Sequence, residues 1–269
     1  TNVNNAGILR VPSQIDGKTV THIGPLFTNG STDVYGNNKE AGNFLGDARL
    51  KVAQLDFSQI NTPVTFYAAS GYGTKNLEKL TLPNAAVTFT VGRVFQNSEK
   101  LRTVENSASI RNIGQEAFMG CSSLGSFEFS NLNGITSVST GTFSDNNSLT
   151  SVKLADSITE IQTNAFYGCT ALYDITLPKK LTLINNSAFF NAVSLKSVEI
   201  PESVQTVGAS AFKNAALLKG DIILSENCTT LGKEAFSGTK IENIYFYNAQ
   251  CEIGENAIPS AATVHGVKG

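Results

Sequence analysis

Histidine and cysteine are the residues most able to do chemistry in this chain, and their positions leave little room for it. The 269 residues include two histidines, His22 and His265, and four cysteines. Acid–base catalysis needs several polar groups close together, and the two histidines lie near opposite ends of the sequence. No His-Glu-x-x-His, Gly-x-Ser-x-Gly or phosphate-loop motif occurs. We therefore predict no enzyme and no catalytic residue, and interpret His22 as a structural or surface residue.

A metal site has equally weak support. There is no Cys-x-x-Cys pair, which argues against structural zinc. The run Asp145-Asn146-Asn147 could offer oxygen ligands to calcium, but no second acidic cluster accompanies it, and calcium takes six or more oxygens. We predict no metal and no cofactor.

Charge and hydropathy exclude two further classes of protein. Lys and Arg number 20 against 22 Asp and Glu, for a net charge of −2, and the basic residues do not cluster as phosphate contacts require. A nucleic-acid partner is not expected. No apolar run reaches the length of about 18 residues that a spanning helix needs, so we predict no membrane span in this chain.

An internal repeat sets the architecture. A phenylalanine after a small residue recurs about every 23 residues, and Ile258 continues the series. An alternating apolar pair follows each repeat of this residue and predicts a short strand, and a second apolar pair before it predicts another extended segment. One such unit cannot bury its apolar side alone, so we predict stacked coils around one continuous core. The repeated residues are Phe95, Phe118, Phe143, Phe166, Phe189, Phe212 and Phe236.

Two residues after each repeated phenylalanine, only Gly, Asn or Asp occurs. These types tolerate the left-handed backbone conformation. We predict one helical turn in each coil, closed by a left-handed residue. The predicted left-handed residues are Asn97, Gly120, Asp145, Gly168, Asn191, Asn214 and Gly238.

The repeat also places the cysteines. Cys121 and Cys169 share a position two coils apart, roughly 10 Å, which is too far for a disulfide and typical of small buried residues. Cys228 and Cys251 fall on neighbouring coils. Counted from Leu231 and Ile253 they are out of register by one, which predicts side chains that point apart. A bridge between them stays open as the alternative.

We predict a single domain over residues 1–269. Irregular repeats occupy 1–72 with an inserted loop at 28–49, regular repeats occupy 73–258, and 259–269 is a truncated C-terminal end. Val64-Thr65-Phe66 and Val87-Thr88-Phe89 are 23 residues apart and carry a degenerate repeat into the N-terminal part. The chain begins without methionine or a signal-peptide pattern, which indicates a processed or trimmed fragment.

These features resemble a known family, the BspA-type leucine-rich repeats of bacterial surface proteins. The resemblance also covers the opening segment, residues 11–24. The regular part carries it in the string Ile158-x-x-Ile161-x-x-x-Ala165-Phe166-x-Gly168-Cys169-x-x-Leu172-x-x-Ile175-x-Leu177-Pro178.

The fold expected from the repeat and the resemblance is an α/β repeat solenoid. It is a leucine-rich-repeat-like, right-handed superhelix of about ten coils, mostly β. Each coil has a short parallel strand, a second extended segment and one helical turn. The resemblance further implies secretion or display on a bacterial surface, a role in adhesion or ligand capture, and no catalytic residue to transfer.

Outward strand positions are the candidate binding residues, because side chains alternate between the two faces of a strand. The glutamates among them outnumber the lysine and predict a mildly acidic stripe, while the tyrosines and Ile223 add apolar groups to a polar face. Two alternatives are a solvated face without function and tyrosines that pack under absent C-terminal residues. The candidates are Glu105, Glu128, Lys153, Thr176, Glu199, Tyr245 and Tyr247.

The functional prediction is a non-catalytic bacterial surface or secreted recognition protein. It would bind a host or extracellular protein or glycan through the sheet face, outside the cell or on its surface, and we expect a monomer. The alternative is a structural spacer that displays another domain of a larger surface protein.

Overall fold

The structure, a computed structural model, describes residues 7–15, 17–23, 52–67, 74–90, 92–129 and 134–266. Within these ranges the secondary structure is a series of short β-strands and one turn of 3-10 helix, Ser107–Ser109. The strands are β1 (Ile8–Arg10), β2 (Gln14–Ile15), β3 (Lys18–Thr19), β4 (His22–Ile23), β5 (Gln54–Asp56), β6 (Val64–Phe66), β7 (Lys79–Thr81), β8 (Val87–Phe89), β9 (Thr103–Glu105), β10 (Ile110–Asn112), β11 (Ser126–Glu128), β12 (Ser137–Val138), β13 (Ser151–Lys153), β14 (Glu160–Ile161), β15 (Asp174–Ile175), β16 (Leu183–Ile184), β17 (Thr206–Val207), β18 (Lys219–Leu224), β19 (Thr230–Leu231), β20 (Lys240–Phe246), β21 (Glu252–Ile253) and β22 (Thr263–His265).

One strand from most coils forms the front face, our name for three parallel sheets. Their strand orders are β1-β5-β7-β9, β11-β13-β15 and β18-β20-β22. Residues of equivalent coils pair directly, as Leu55 does with Leu80 and Val152 with Ile175. This register stacks inward apolar residues on one another and leaves the polar residues between them outside, as the alternating pattern predicts.

The second extended segment of each coil forms the side ladder, our name for two further parallel sheets. Their orders are β4-β6-β8-β10 and β12-β14-β16-β17-β19-β21. Val64 pairs with Val87 and Phe66 with Phe89, which confirms the repeat predicted between these segments. The hairpin β2–β3 is antiparallel and stands apart from both sets of sheets.

The segment around each repeated phenylalanine is a run of hydrogen-bonded turns, whereas the sequence predicted a helical turn. The amides of Phe166 and Gly168 each donate to a carbonyl of the next coil at 2.8 Å. In a helix these amides would bond along their own segment. Because they are directed at the neighbouring coil instead, the turns form a third ladder of hydrogen bonds between coils.

Two left-handed columns flank each run of turns. All seven predicted residues have positive φ, between 58° and 77°. A second column, two residues before the phenylalanine, was not predicted, because its residue types are mixed and several disfavour this conformation. A left-handed residue at both ends explains why the segment cannot continue as a helix. The second column comprises Arg93, Glu116, Gly141, Asn164, Ser187, Ser210, Glu234 and Asn256.

The repeated phenylalanines form a stack through the interior, and all seven are fully buried. From Phe143 to Phe236, successive ring centroids are 5.0 to 5.5 Å apart and the rings are 3° to 9° from parallel. The buried apolar side chains form one cluster that extends from Leu9 to Ala257. The structure thus confirms the solenoid and its continuous core, with about nine coils against the ten expected.

The N-terminal part is only partly described. The predicted inserted loop at 28–49 lies outside the described residues. The strands before and after it pair directly, since His22 of β4 is opposite Thr65 of β6. The division of the chain into irregular, regular and truncated parts stays a prediction.

Candidate recognition surface

The seven candidate residues lie along the front face but do not form one continuous site. Four of them lie in its strands, distributed over all three sheets: Glu105, Glu128, Lys153 and Tyr245. Thr176 and Tyr247 each follow the last residue of a front-face strand, and Glu199 lies in a coil whose front segment is not a strand. All are exposed except Tyr245, which is half-buried.

Ion pairs neutralise the middle of the front face. Lys79 Nζ lies 2.6 Å from Glu105 Oε1, and Lys153 Nζ lies 2.6 Å from Glu128 Oε1. The hydrogen bond from Lys79 is the largest of the effects that lower the pKa of Glu105 below 4.5. The predicted acidic stripe is therefore weaker than expected. The sequence prediction counted charges along one column of outward positions, whereas Lys79 belongs to the second outward column of the same strands.

An aromatic row occupies the C-terminal end of the same face. Ile223, Tyr245 and His265 are aligned on adjacent strands. The rings of Tyr245 and His265 stack at a centroid distance of 4.4 Å and an interplanar angle of 12°. Ile223 is 54% exposed and Tyr247 is 59% exposed, so this row presents apolar area to the solvent.

A polar row lies beside the aromatic one. Asn243 Nδ2 donates to Asp221 Oδ1 at 2.7 Å, and Asn243 Oδ1 lies 3.0 Å from His265 Nε2. Since the amide nitrogen of Asn243 donates to Asp221, its oxygen accepts from His265, which places a proton on Nε2. These bonds fix the imidazole ring that stacks on Tyr245. We call the two rows together the C-terminal patch: Asp221, Ile223, Asn243, Tyr245, Tyr247 and His265.

Three members of this patch were not predicted as binding residues: Asp221, Asn243 and His265. Within the segment predicted to be a truncated end, Thr263–His265 forms β22 and adds a strand to the front face. Tyr245 and His265 are only 20 residues apart, so a count of 23 misses the match. His265 covers part of Tyr245, whereas Tyr247 is 59% exposed.

The described residues outside this patch show no grouping that would form a catalytic or metal site. His22 hydrogen-bonds Thr21 at 2.8 Å and its ring stacks on Tyr67 at 5.7 Å, in keeping with a structural role. Across the described ranges, no three His, Cys, Asp or Glu residues are grouped so that they could hold a metal ion. No helix in the same ranges is long and apolar enough to cross a membrane.

The cysteines divide into two kinds. Cys121 and Cys169 are buried and free, and their thiols donate to the carbonyls of Phe95 and Phe143 at 3.2 and 3.1 Å. This confirms the prediction that they are small interior residues. The prediction that Cys228 and Cys251 point apart is wrong, because each thiol shifts the pKa of the other, which requires that the two lie close together.

The error in register has a local cause. Cys228 and Cys251 each close the same kind of turn, with amides that donate three residues back, to Ser225 at 3.1 Å and to Asn248 at 3.2 Å. They therefore occupy equivalent positions. The last coil is one residue shorter than the coil before it, and the missing residue falls between Cys251 and Ile253. A count back from Ile253 therefore misplaces Cys251 by one position.

Comparisons with known proteins agree with this architecture. The sequence matches the BspA type leucine-rich repeat region in six copies, over residues 54–169 and 136–263. A search of curated proteins found no match. Among solved structures, a leucine-rich cell surface protein from Faecalibacterium prausnitzii is 18% identical with a TM-score of 0.50, covering 99% of this chain and 89% of that one.

A leucine-rich repeat protein from Bacteroides ovatus is 17% identical with a TM-score of 0.53, covering 99% of this chain and 84% of that one. At these identities the likeness concerns the fold. The repeat match covers most of the sequence, over residues that form stacked coils in the structure. The chain therefore belongs to the BspA-type leucine-rich repeat family.

Proposed function

We propose that the chain is a non-catalytic recognition module of a bacterial surface or secreted protein. It binds an extracellular protein or glycan through the C-terminal patch of the front face. The observation that carries the proposal is the exposed Ile223 and Tyr247 beside the Tyr245–His265 stack, on a face that is otherwise polar. The description of the Faecalibacterium structure as a cell surface protein supports the location.

The patch suits binding better than the ion-paired middle of the face. A partner that covered Lys153 and Glu128 would remove two charges from water. The free energy cost of this desolvation offsets most of the binding free energy that the new contacts contribute. Tyrosine instead buries a large apolar area and keeps a hydroxyl for a directional bond, and it is enriched among the residues that dominate binding energy.

The patch is also held in shape before any partner arrives. Its strands β18 and β20 are the longest in the front face and pair in register from Asp221 to Leu224, and the bonds of Asn243 fix His265 against Tyr245. Ordered side chains lose less conformational entropy on binding. Asp221 and the amide of Asn243 leave lone pairs and protons at the edge of the rings, which gives polar contacts for either a peptide or a sugar hydroxyl.

A binding screen with the purified chain, against extracellular matrix proteins and glycans together, tests this function. For any ligand found, the double variant Tyr245→Ala, Tyr247→Ala should raise Kd about 30-fold or more, as loss of a binding hot spot of about 2 kcal/mol does. The charge reversal Glu128→Lys is the matched control on the same face and should change Kd less than about threefold. Equal affinities for wild type and the tyrosine variant would show that the C-terminal patch is not the binding site.

The spacer alternative makes a different prediction. A chain that only separates another domain from the cell would bind nothing in the screen. Its full-length protein would carry a large module beyond the repeats. Observing both would favour the spacer over recognition.

A further inference from the structure

Cys228 and Cys251 end a column of apolar residues in the side ladder. Each member closes a turn, and the amide of the following residue donates to the preceding coil. Thr229 donates to the carbonyl of Gln205 at 2.9 Å, and Glu252 donates to that of Thr229 at 2.8 Å. The same bond on successive coils places the two cysteines in equivalent positions on neighbouring coils, just before the one-residue offset that pairs Thr230 with Glu252. The column comprises Ile158, Leu181, Val204, Cys228 and Cys251.

This position meets the distance condition for a disulfide. Neighbouring strands lie about 4.8 Å apart, and bridged cysteines have Cα atoms roughly 4.4 to 6.8 Å apart. The two thiols lie close enough for each to shift the pKa of the other. By contrast, Cys121 and Cys169 are separated by the coil of Asn146, which leaves them too far apart for a bridge.

The two thiols differ in access. Cys228 is 1% exposed, whereas Cys251 is partly exposed. Burial raises the pKa of both, that of Cys228 to about 12, while the hydrogen bond from Cys228 lowers the pKa of Cys251 and so opposes the effect of burial there. Cys251 is therefore the thiol that a reagent reaches first.

We propose that Cys228 and Cys251 are a cross-linking site, which low-molecular-weight disulfides oxidise to a disulfide between the last two coils of the side ladder. The thiolate of Cys251 attacks one sulfur of the small disulfide, and the other half leaves as a thiolate and takes up the proton. The thiolate of Cys228 then attacks the Cys251 sulfur and expels the second half. Two protein thiols become one disulfide, and one small disulfide is reduced to two thiols.

The cross-link would act on a coil with few buried residues. Regions with few buried contacts open first. Both residues of β21, the last strand of the side ladder, are exposed. This coil follows directly on β20, which carries Tyr245, so the bond would hold the C-terminal patch in an oxidising environment. The inference goes beyond the proposed recognition function and does not depend on it.

Thiol counting tests the proposal. The folded chain is incubated with oxidised glutathione, unfolded, treated with a maleimide to label free thiols, digested and mapped. We expect two of the four thiols to disappear and a peptide that joins Cys228 to Cys251. The variant Cys121→Ala, Cys169→Ala should lose both of its remaining thiols. Four labelled thiols, or a bond that involves another cysteine or a second chain, would overturn the proposal.

A melting experiment separates the bond from its effect. Cross-linked wild type should melt roughly 5–10 °C above the reduced form, since the bond closes a loop of 22 residues between the cysteines. The variant Cys251→Ser, given the same oxidant, should show no rise. An equal Tm for cross-linked and reduced wild type would overturn the claim that the bond secures the last coils.

Discussion

The interior phenylalanine stack and the front face use the same repeat in opposite ways. Inside, one residue type recurs in every regular coil, and the rings from Phe143 to Phe236 lie within 9° of parallel. Outside, equivalent positions change from ion pairs at Glu105 and Glu128 to the aromatic row at Tyr245. Positions that repeat therefore determine the fold, and positions that depart from the repeat indicate where function lies.

The N-terminal coils show how the interior responds when the repeat is broken. Phe66 and Phe89 are rings outside the repeated series, and they meet at 78° instead of in parallel. Phe89 likewise meets Phe95, the first ring of the stack, at 77°. The stack itself tolerates such rings: Phe127 and Phe129 meet Phe143 at 61° and 81°, while Phe118 and Phe143 stay 7° from parallel.

The largest effect is expected from removing one ring of the stack. Phe166→Ala should lower the free energy of unfolding by about 3–5 kcal/mol, because it leaves a cavity between two stacked neighbours. Urea unfolding followed by circular dichroism measures this change. The matched control is Tyr173→Ala in the same coil, whose ring is 51% exposed. Equal losses for the two variants would contradict the contrast between interior and face.

A smaller loss is expected at the left-handed column. Asn191 has φ 58°, and Asn191→Val should cost about 1–2 kcal/mol, because a β-branched residue fits this conformation poorly. Asn191→Gly should leave stability nearly unchanged, since glycine adopts positive φ freely. The same unfolding assay applies. A valine variant as stable as the glycine variant would show that the backbone at this position is not left-handed.

The smallest effect is expected on the face. Lys79→Met removes the hydrogen bond that lowers the pKa of Glu105, so this pKa should rise toward 4.5, measured by NMR titration. A lowered pKa stabilises the folded state above 4.5, and this contribution is lost as pH falls through the lowered value. Because the pair is exposed, the loss of stability at pH 7 should stay below about 1 kcal/mol.

Lys153→Met removes the equivalent charge from the next sheet and is the control for this titration. It should leave the pKa of Glu105 where it is. If Lys79→Met also leaves it unchanged, the ion pair does not form in solution, and the middle of the face is more acidic than the structure indicates.

Residue type and spacing were enough to predict the stack, the alternating strands and one left-handed column. Each of these features depends on a single residue and its own backbone. The second left-handed column was not predicted, because the residue types of Arg93, Glu116 and Ser187 do not favour positive φ. Hydrogen bonds from their amides to the next coil hold them in this conformation.

The missed parts of the candidate site all depend on contacts between columns or on a change in coil length. Lys79 and Glu105 belong to different outward columns. Cys251 and His265 lie in the last coils, which are shorter than 23 residues, so a fixed count misplaced both. A sequence repeat predicts contacts along a column well, and contacts across columns or beyond an irregular coil only poorly.

Hydrogen–deuterium exchange on the chain, with and without a ligand from the binding screen, tests the central claim most directly. We predict that the ligand slows exchange in β18, β20 and β22 and leaves the amides of β9, β11 and β13 unchanged. Slower exchange confined to the side ladder, or to the ion-paired middle of the front face, would contradict the assignment of recognition to the C-terminal patch.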